Sequence, residues 1–219
     1  MADDQPRRGA TGEMSLRYRA FRRMLIYLSR LLFGFTVHGA EKVPNKGPLI
    51  VASNHHQYAD PVLVCMAVPR RMQWMAKKEV FVPPFDRFFY FIGSFPVDRQ
   101  KGGRAALRAA LGFLSEGWVL GIFPEGGRRK KQDAVVQNAP KSGVTMLAAR
   151  ANAPILPVFV DKAPNPLERL RGHKLRVYIG DPITPDNTSK EKRARGEVTG
   201  EVLRAIYGLK DEQSGVDSW

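Results

Sequence analysis

Short apolar runs alternate along this 219-residue chain with segments of helical periodicity. Strands covered on both faces need no polar side, so continuous apolar runs predict buried strands at residues 48–52, 118–123 and 155–160. Further extended segments are predicted at residues 36–39, 72–76, 93–99 and 174–180. Apolar spacings of three and four predict helices at residues 61–68, 104–117, 143–152 and 188–207. The alternation is typical of an α/β fold with a mainly parallel central sheet flanked by helices.

A separate amphipathic helix is predicted before the first strand, over residues 13–32. One side of it is apolar, and Arg19, Arg23 and Arg30 fall on the opposite side. The near absence of acidic residues favours a helix that lies in the membrane interface, with its arginines reaching lipid phosphates. The alternative is an ordinary surface helix packed on its own domain.

The pattern divides the chain into four parts. We expect a flexible lead-in at residues 1–12, an amphipathic membrane-associating helix at 13–35, one domain at 36–209 and a flexible tail at 210–219. No apolar run reaches the length of about 18 residues that a membrane span needs. Arg30 interrupts the apolar stretch of the first helix, so a cleaved signal peptide is not predicted either.

The charge balance narrows the choice of partners. The chain has 35 Lys and Arg residues against 21 Asp and Glu, a formal net charge of +14. Such a field favours an anionic partner, while the lack of zinc-finger, RNP or basic-zipper motifs argues against nucleic acid. The single cysteine, Cys65, excludes an internal disulfide and a cysteine-based zinc site, and its apolar surroundings indicate a buried small side chain rather than a nucleophile.

The loop after the first buried strand carries candidate acid–base chemistry. His55 and Asp60, with four residues between them, are the right types for a general base and the carboxylate that orients it. Ligands of open α/β sheets bind at the carboxyl ends of the strands, where this loop lies. We take the adjacent His56 as a neighbour rather than the base. The structural alternative for Asp60 is a helix cap before Pro61.

A second loop, at residues 124–131, follows the strand predicted at 118–123. Glu125, two glycines and four consecutive cations make it a candidate anion cradle, since glycine permits close backbone approach and arginine can grip phosphate through two hydrogen bonds. Both loops follow parallel strands, so we expect them to share one cleft. The aromatic stretch at residues 81–91 is open to three interpretations: core, lining for an apolar substrate, or a membrane-facing patch.

Four motifs follow one another along the chain: Asn54-His55-x4-Asp60, Val97-Asp98-Arg99, Phe123 to Arg128, and Ile155-Leu156-Pro157-Val158. In this order they resemble the glycerolipid acyltransferases, most of all the bacterial 1-acylglycerol-3-phosphate acyltransferases. They span about residues 48–182. The family usually has Thr in place of Gly127 and commonly Ser in place of Gln57, which leaves the acceptor less defined.

The resemblance implies transfer of a fatty acyl group from acyl-CoA or acyl-carrier protein to the sn-2 hydroxyl of 1-acylglycerol-3-phosphate, giving phosphatidic acid. His55 is then the base and Asp60 its orienting carboxylate, and transfer is direct, without an acyl-enzyme. No metal and no cofactor beyond the acyl donor are expected. The positions implied for acceptor binding are Arg99, Glu125, Gly126, Arg128 and, as a lesser candidate, Lys78.

The expected partners follow from this reaction. They are an anionic membrane surface, a lysolipid acceptor and the acyl donor, with no nucleic acid, and the expected location is the cytoplasmic face of the cell membrane, peripheral or monotopic. One alternative is a related acyltransferase with another lysolipid or an aminolipid as acceptor. A more distant one is a non-catalytic protein that binds membranes or nucleic acid through its positive charge.

Overall fold

A computed structural model describes residues 14–97, 103–125, 143–184 and 192–214. Seven strands form one sheet in the order β1-β7-β6-β2-β5-β3-β4. The strands are β1 Thr36–His38, β2 Leu49–Ser53, β3 Met72–Lys77, β4 Ser94–Val97, β5 Val119–Ile122, β6 Ile155–Val160 and β7 Arg176–Ile179. The helices are α1 Leu16–Phe33, α2 Asp60–Ala67, α3 Asp86–Phe91, α4 Gly103–Ser115, α5 Gly143–Ala151, α6 Pro166–Leu170 and α7 Lys192–Ser214.

The predicted α/β fold with a mainly parallel sheet is confirmed. Strands β6, β2, β5, β3 and β4 are parallel to one another, whereas β7 is antiparallel to β6 and β1 is parallel to β7. The carboxyl ends of these five parallel strands therefore lie at one end of the sheet, called the carboxyl edge below. The amino ends of β1 and β7 lie at that same edge.

The apolar residues of the sheet serve two cores, one on each face. Leu49 and Val51 of β2 join the core that α2 covers, while Ile50 and Ala52 join the core under α4, α5 and α7. All five residues of β2 are buried. Because both faces are covered, residues 49–52 of β2 form a continuous apolar run, as the sequence predicted.

The predicted helix at the amino end is confirmed as α1, and its two halves have different surroundings. Tyr18 is buried, and the Arg22 guanidinium donates 3.1 and 2.6 Å hydrogen bonds to the carbonyls of Cys65 and Met66 at the end of α2. Thus Arg22 caps a neighbouring helix. Large apolar side chains remain exposed along the rest of α1: Met24, Tyr27, Leu28, Leu31, Leu32 and Phe33. Among the described residues, no helix has the length and apolarity needed to cross a bilayer.

The last helix runs further than the sequence predicted. Glycine commonly follows a helix end, and we expected α7 to stop at Gly208, but it continues to Ser214. Leu209 explains the continuation, since it packs against the sheet where Gly180 leaves room for it. Tertiary packing here outweighs the low helix propensity of glycine. The predicted helix start at 188 lies outside the described residues.

Candidate active site

The loop after β2 begins with a clamp to the neighbouring strand. The buried Asn54 side chain accepts a 2.7 Å hydrogen bond from the backbone N–H of Val160 and donates a 2.9 Å bond to its carbonyl. Both bonds join the loop to the end of β6. The clamp fixes the position from which His55 leaves the sheet. Sequence patterning assigned Asn54 no structural role, because the partner is more than a hundred residues away.

Asp60 organises the loop through one oxygen. Its Oδ2 lies 3.0 Å from Nδ1 of His55 and accepts backbone hydrogen bonds from His56 at 2.7 Å and Gln57 at 2.8 Å. Asp60 is buried and is the first residue of α2, whose N-cap is Ala59 with no side-chain cap. The alternative of Asp60 as a helix cap is therefore wrong. Its carboxylate binds the preceding loop instead.

This arrangement fixes the orientation of His55. With Nδ1 donating to the carboxylate, we assign the tautomer whose Nε2 is the acceptor, so the free lone pair points away from Asp60. The side chain of His55 is 16% exposed, which leaves it shielded yet reachable. His56 is exposed, and its backbone, not its ring, contacts Asp60. The geometry supports His55 rather than His56 as the base.

An aromatic stack supports the imidazole from one face. The Phe123 ring, just after β5, lies on His55 with centroids 4.0 Å apart and planes 13° apart. Trp74 of β3 stacks on the other side of Phe123 at 4.9 Å. A Cβ at Gly121 would lie 2.6 Å from the indole, so glycine is required where Trp74 crosses β5. Sequence reasoning missed this stack.

We expect Phe123→Leu to lower kcat about tenfold, while KM for both substrates changes little. Leucine fills the space but offers no flat face, so the imidazole samples more orientations, and misplacement by a fraction of an ångström is costly in catalysis. Initial rates at varied substrate concentration measure this, with the melting temperature as a control for folding. Phe123→Tyr keeps the aromatic ring, so this control variant should retain most of the native kcat. Equal activity of the Phe123→Leu variant and the native enzyme would refute the positioning role.

The second loop begins after β5, and its Glu125 is held by the last helix. The hydroxyl of Tyr207, on α7, donates a hydrogen bond to Glu125 Oε1. Tyr207 also packs edge-on against Phe159 of β6. Sequence reasoning missed Tyr207, since nothing in a helical stripe separates a packing tyrosine from one that holds a carboxylate.

Of the other four predicted acceptor-binding positions, the structure describes one. Lys78 is exposed and directly follows β3, two strands from β2 at the carboxyl edge. Arg99, Gly126 and Arg128 lie outside the described residues, although β4 and β5, which precede them, both end at this edge. Their roles stay predictions.

The thiol of Cys65 is not part of the candidate catalytic chemistry. Cys65 is buried, and Nε1 of Trp74 donates a 3.1 Å hydrogen bond to its sulfur. Burial raises the pKa of the Cys65 thiol, which keeps it protonated and inert at neutral pH. The prediction of a buried small side chain is confirmed. No cluster of three or more His, Cys, Asp or Glu side chains suited to a metal occurs within the described part of the chain.

The aromatic stretch at 81–91 is not core. None of its residues is buried, and Phe85 and Phe88 are 63% and 45% exposed. Phe91 contacts Tyr18 and Phe21 of α1, with centroids 5.8 and 5.2 Å apart. Helix α3 therefore lies beside α1 at the surface. The interpretations that remain are a substrate lining and a membrane-facing patch.

Comparison with known proteins decides the family. A family model described as Acyltransferase matches residues 34–161, which include the His55 loop, β5 and β6. The chain belongs to the Acyltransferase family. The resemblance drawn from the four motifs is thus confirmed, and this acyltransferase holds its His55–Asp60 pair at the carboxyl edge of the sheet.

Relatives of this acyltransferase carry one recurring name. It is 28% identical over 152 residues to the 1-acyl-sn-glycerol-3-phosphate acyltransferase of Bacillus subtilis, covering 68% of this chain and 74% of that one. It is 30% identical over 176 residues to human 1-acyl-sn-glycerol-3-phosphate acyltransferase beta, covering 78% and 55% of the two chains.

A solved structure has the same fold. The crystal structure of the 1-acyl-sn-glycerophosphate acyltransferase from Thermotoga maritima superposes with a TM-score of 0.63. The match covers 93% of this acyltransferase and 85% of that chain at 20% identity. It supports the α/β architecture with the mostly parallel seven-stranded sheet.

Proposed function

We propose that this acyltransferase moves a fatty acyl group from acyl-CoA or acyl-carrier protein to the sn-2 hydroxyl of 1-acylglycerol-3-phosphate, giving phosphatidic acid for phospholipid biosynthesis. The observation that carries the proposal is the imidazole of His55, with Nδ1 held 3.0 Å from a buried carboxylate and Nε2 left free. A binding protein has no use for such a pair. Relatives named for this reaction support the choice of substrates.

The chemistry follows from the geometry. An alcohol is a poor nucleophile at neutral pH, so Nε2 of His55 takes the hydroxyl proton as the oxygen attacks the thioester carbonyl. Asp60 stabilises the imidazolium through Nδ1–H, as in the aspartate–histidine pair of serine proteases. The C–S bond then breaks, and His55 returns the proton to the departing thiolate. The products are the ester and a free thiol, with no acyl-enzyme.

Acceptor recognition is assigned to the loops after β4 and β5. We propose that Arg99 and Arg128 bind the acceptor phosphate, with Gly126 allowing close backbone approach. Glu125 repels phosphate, so it orients a guanidinium or a glycerol hydroxyl, and Tyr207 holds it for that role. Lys78 is a further phosphate contact. A different lysolipid or an aminolipid acceptor is the second candidate, because Gly127 departs from the usual family residue.

The test is an acceptor panel followed by free-thiol release. Purified enzyme with acyl-CoA should release thiol fastest with 1-acylglycerol-3-phosphate and far more slowly with an uncharged lysolipid of the same chain. Faster turnover of an aminolipid or glycolipid acceptor would move the assignment to the second candidate. Thiol release that no acceptor stimulates would defeat acyl transfer to an alcohol.

We propose that the enzyme works as a peripheral or monotopic protein on an anionic membrane, at the cytoplasmic face where soluble acyl donors are available. The carboxyl-terminal half of α1 supports this. Tyr27 and Leu31 are 68% and 66% exposed there, and the cations Arg23 and Arg30 beside them are exposed as well. Apolar side chains beside arginines are what an interfacial helix needs.

We expect Tyr27→Ser/Leu31→Ser to weaken binding to anionic vesicles by roughly tenfold or more, because two apolar side chains no longer enter the interface. Point changes are preferable to deletion of α1, whose Tyr18 and Arg22 help to pack the domain. Vesicle flotation measures the loss. Phe85→Ser/Phe88→Ser provides the comparison: weaker flotation assigns α3 to the membrane patch, and unchanged flotation with altered acyl-chain preference assigns it to the substrate lining. Native-like flotation of the α1 variant would contradict the proposal.

A further inference from the structure

The amino-terminal half of α1 holds the end of the helix that begins with Asp60. The half-buried guanidinium of Arg22 donates hydrogen bonds of 3.1 and 2.6 Å to the carbonyls of Cys65 and Met66, in the last turn of α2. Burial lowers the pKa of Arg22, so its charge depends on these carbonyls in place of water. Asp60, which orients His55, is the first residue of the same helix, about 7.5 Å along the axis from Cys65. The position of Asp60 therefore depends on the contact between α1 and α2.

A second row of contacts leads from α1 to the ring face of His55. Tyr18 of α1 and Cys65 of α2 line the same narrow apolar crevice. The sulfur of Cys65 accepts a 3.1 Å hydrogen bond from Nε1 of Trp74. The Trp74 indole stacks on Phe123, and Phe123 stacks on His55, with centroids 4.9 and 4.0 Å apart. The imidazole is thus supported at Nδ1 through α2 and on one face through the rings, and both supports lead back to α1.

Arg70 offers a comparison, because it is an arginine of the same kind at a different place. It is half-buried, burial also lowers its pKa, and it too donates to backbone carbonyls. These acceptors, at 2.9, 2.6 and 3.0 Å, are the carbonyls of Pro44, Gly47 and Gly117. They precede β2 and β5 and so lie at the edge of the sheet opposite to His55. Arg70 can stabilise the fold from there without reaching the imidazole, whereas Arg22 holds the helix that orients it.

We propose that α1 positions the catalytic imidazole, with Arg22 as a positioning residue for His55. Arg22 acts at a distance, by holding the end of α2 and, with it, the Cys65 sulfur that anchors Trp74. A general base has to be held within about 0.5 Å of its productive place, and two supports that share one anchor are disturbed together when that anchor is lost. Most of the exposed apolar side chains of α1 lie in its other half, so this task is separate from contact with a membrane. The role rests on the proposed function, because it concerns the base of the acyl transfer.

The kinetic test compares Arg22→Gln with Arg70→Gln, which loses the same charge and the same kind of hydrogen bond. Arg22→Gln should lower kcat roughly tenfold, because misplacement of the base by about 1 Å can cost up to a hundredfold, while KM for both substrates changes little. Arg70→Gln should keep a kcat close to native, although both variants lower the melting temperature. A short-chain acceptor dissolved as monomers keeps membrane attachment out of the rate. Arg22→Lys retains the charge and a donor, so it should keep part of the activity, and it carries the comparison if Arg22→Gln does not fold.

A second readout observes the His55 ring directly and does not depend on turnover. The chain has four histidines, so in protein with isotope-labelled histidine the Nδ1–H proton of His55 is assigned by its absence from the nuclear magnetic resonance spectrum of His55→Ala. The contact with Asp60 should protect this proton from exchange in the native protein and in Arg70→Gln. In Arg22→Gln the signal should be broadened or lost.

The two readouts separate failure of this role from failure of the proposed function. A native kcat in Arg22→Gln, or a native His55 signal in that variant, overturns the positioning role even where acyl transfer itself is established. A native enzyme that releases no thiol with any acceptor defeats the proposed function, and the ring signal then decides the positioning role alone.

Discussion

Replacing His55 by alanine should lower kcat about a thousandfold, within the range of 10²–10⁴ that a positioned general base contributes. The reason is geometric: Nε2 of His55 is the ring nitrogen left free by the Asp60 contact. Free-thiol release with saturating acyl-CoA and 1-acylglycerol-3-phosphate measures the loss. Binding of the acceptor should persist, because the residues that we propose for its phosphate lie on other loops.

His56→Ala is the matched control for this result. It removes the same chemical group one residue away. The His56 side chain is exposed, and this residue contacts Asp60 through its backbone N–H. Its activity should stay within a small factor of native. The loop should fold in both variants, since Asp60 still accepts hydrogen bonds from the backbone N–H groups of residues 56 and 57. Full activity in the His55→Ala protein would remove His55 from the mechanism, whatever its geometry.

The sheet could be predicted because its strands are local and strongly patterned. A wholly apolar segment such as β6, or one as nearly apolar as β2, has few alternatives to burial on both faces. The direction of β7 could not be predicted in this way. Its pattern indicated only a strand nearer an edge, while its antiparallel pairing with β6 depends on the path of the connection through α6. That reversal matters, because it places the amino ends of β1 and β7 beside the carboxyl ends of the other five strands.

The candidate site shows the same difference between contacts that are local in sequence and contacts between distant elements. His55 and Asp60 are close in sequence, and their contact follows from the loop between them. The partners that hold the site come from distant strands and helices: Val160 clamps Asn54, Phe123 and Trp74 stack beneath His55, and Tyr207 holds Glu125. A single sequence contains no signal for contacts between residues so far apart. Each of these partner residues has a type that would look the same in an ordinary hydrophobic core.

Asp60→Asn should cost nearly as much activity as loss of the base, about a thousandfold in kcat, with a smaller loss of stability. The amide preserves the volume and can still accept from the N–H groups of His56 and Gln57, which are 2.7 and 2.8 Å from Oδ2. It cannot carry the negative charge that stabilises the imidazolium, although its oxygen, at the position of Oδ2, can still accept from Nδ1–H of His55. Rate assays and thermal unfolding of the same preparations separate the two effects.

Asp60→Ala completes the comparison and distinguishes catalysis from loop structure. Alanine removes the acceptor of two backbone N–H groups in a buried position, at about 1–3 kcal/mol for each group left unsatisfied, so the melting temperature should fall well below that of the Asn variant. The kcat values of the two variants should nevertheless be similar. If Asp60→Asn kept more than a tenth of native activity while Asp60→Ala lost it together with stability, the carboxylate would be a structural clamp of the loop, and the base would act without its charge. A buried carboxylate whose one oxygen meets the imidazole and both amides supports the opposite result, because the amides alone would be satisfied by a neutral acceptor.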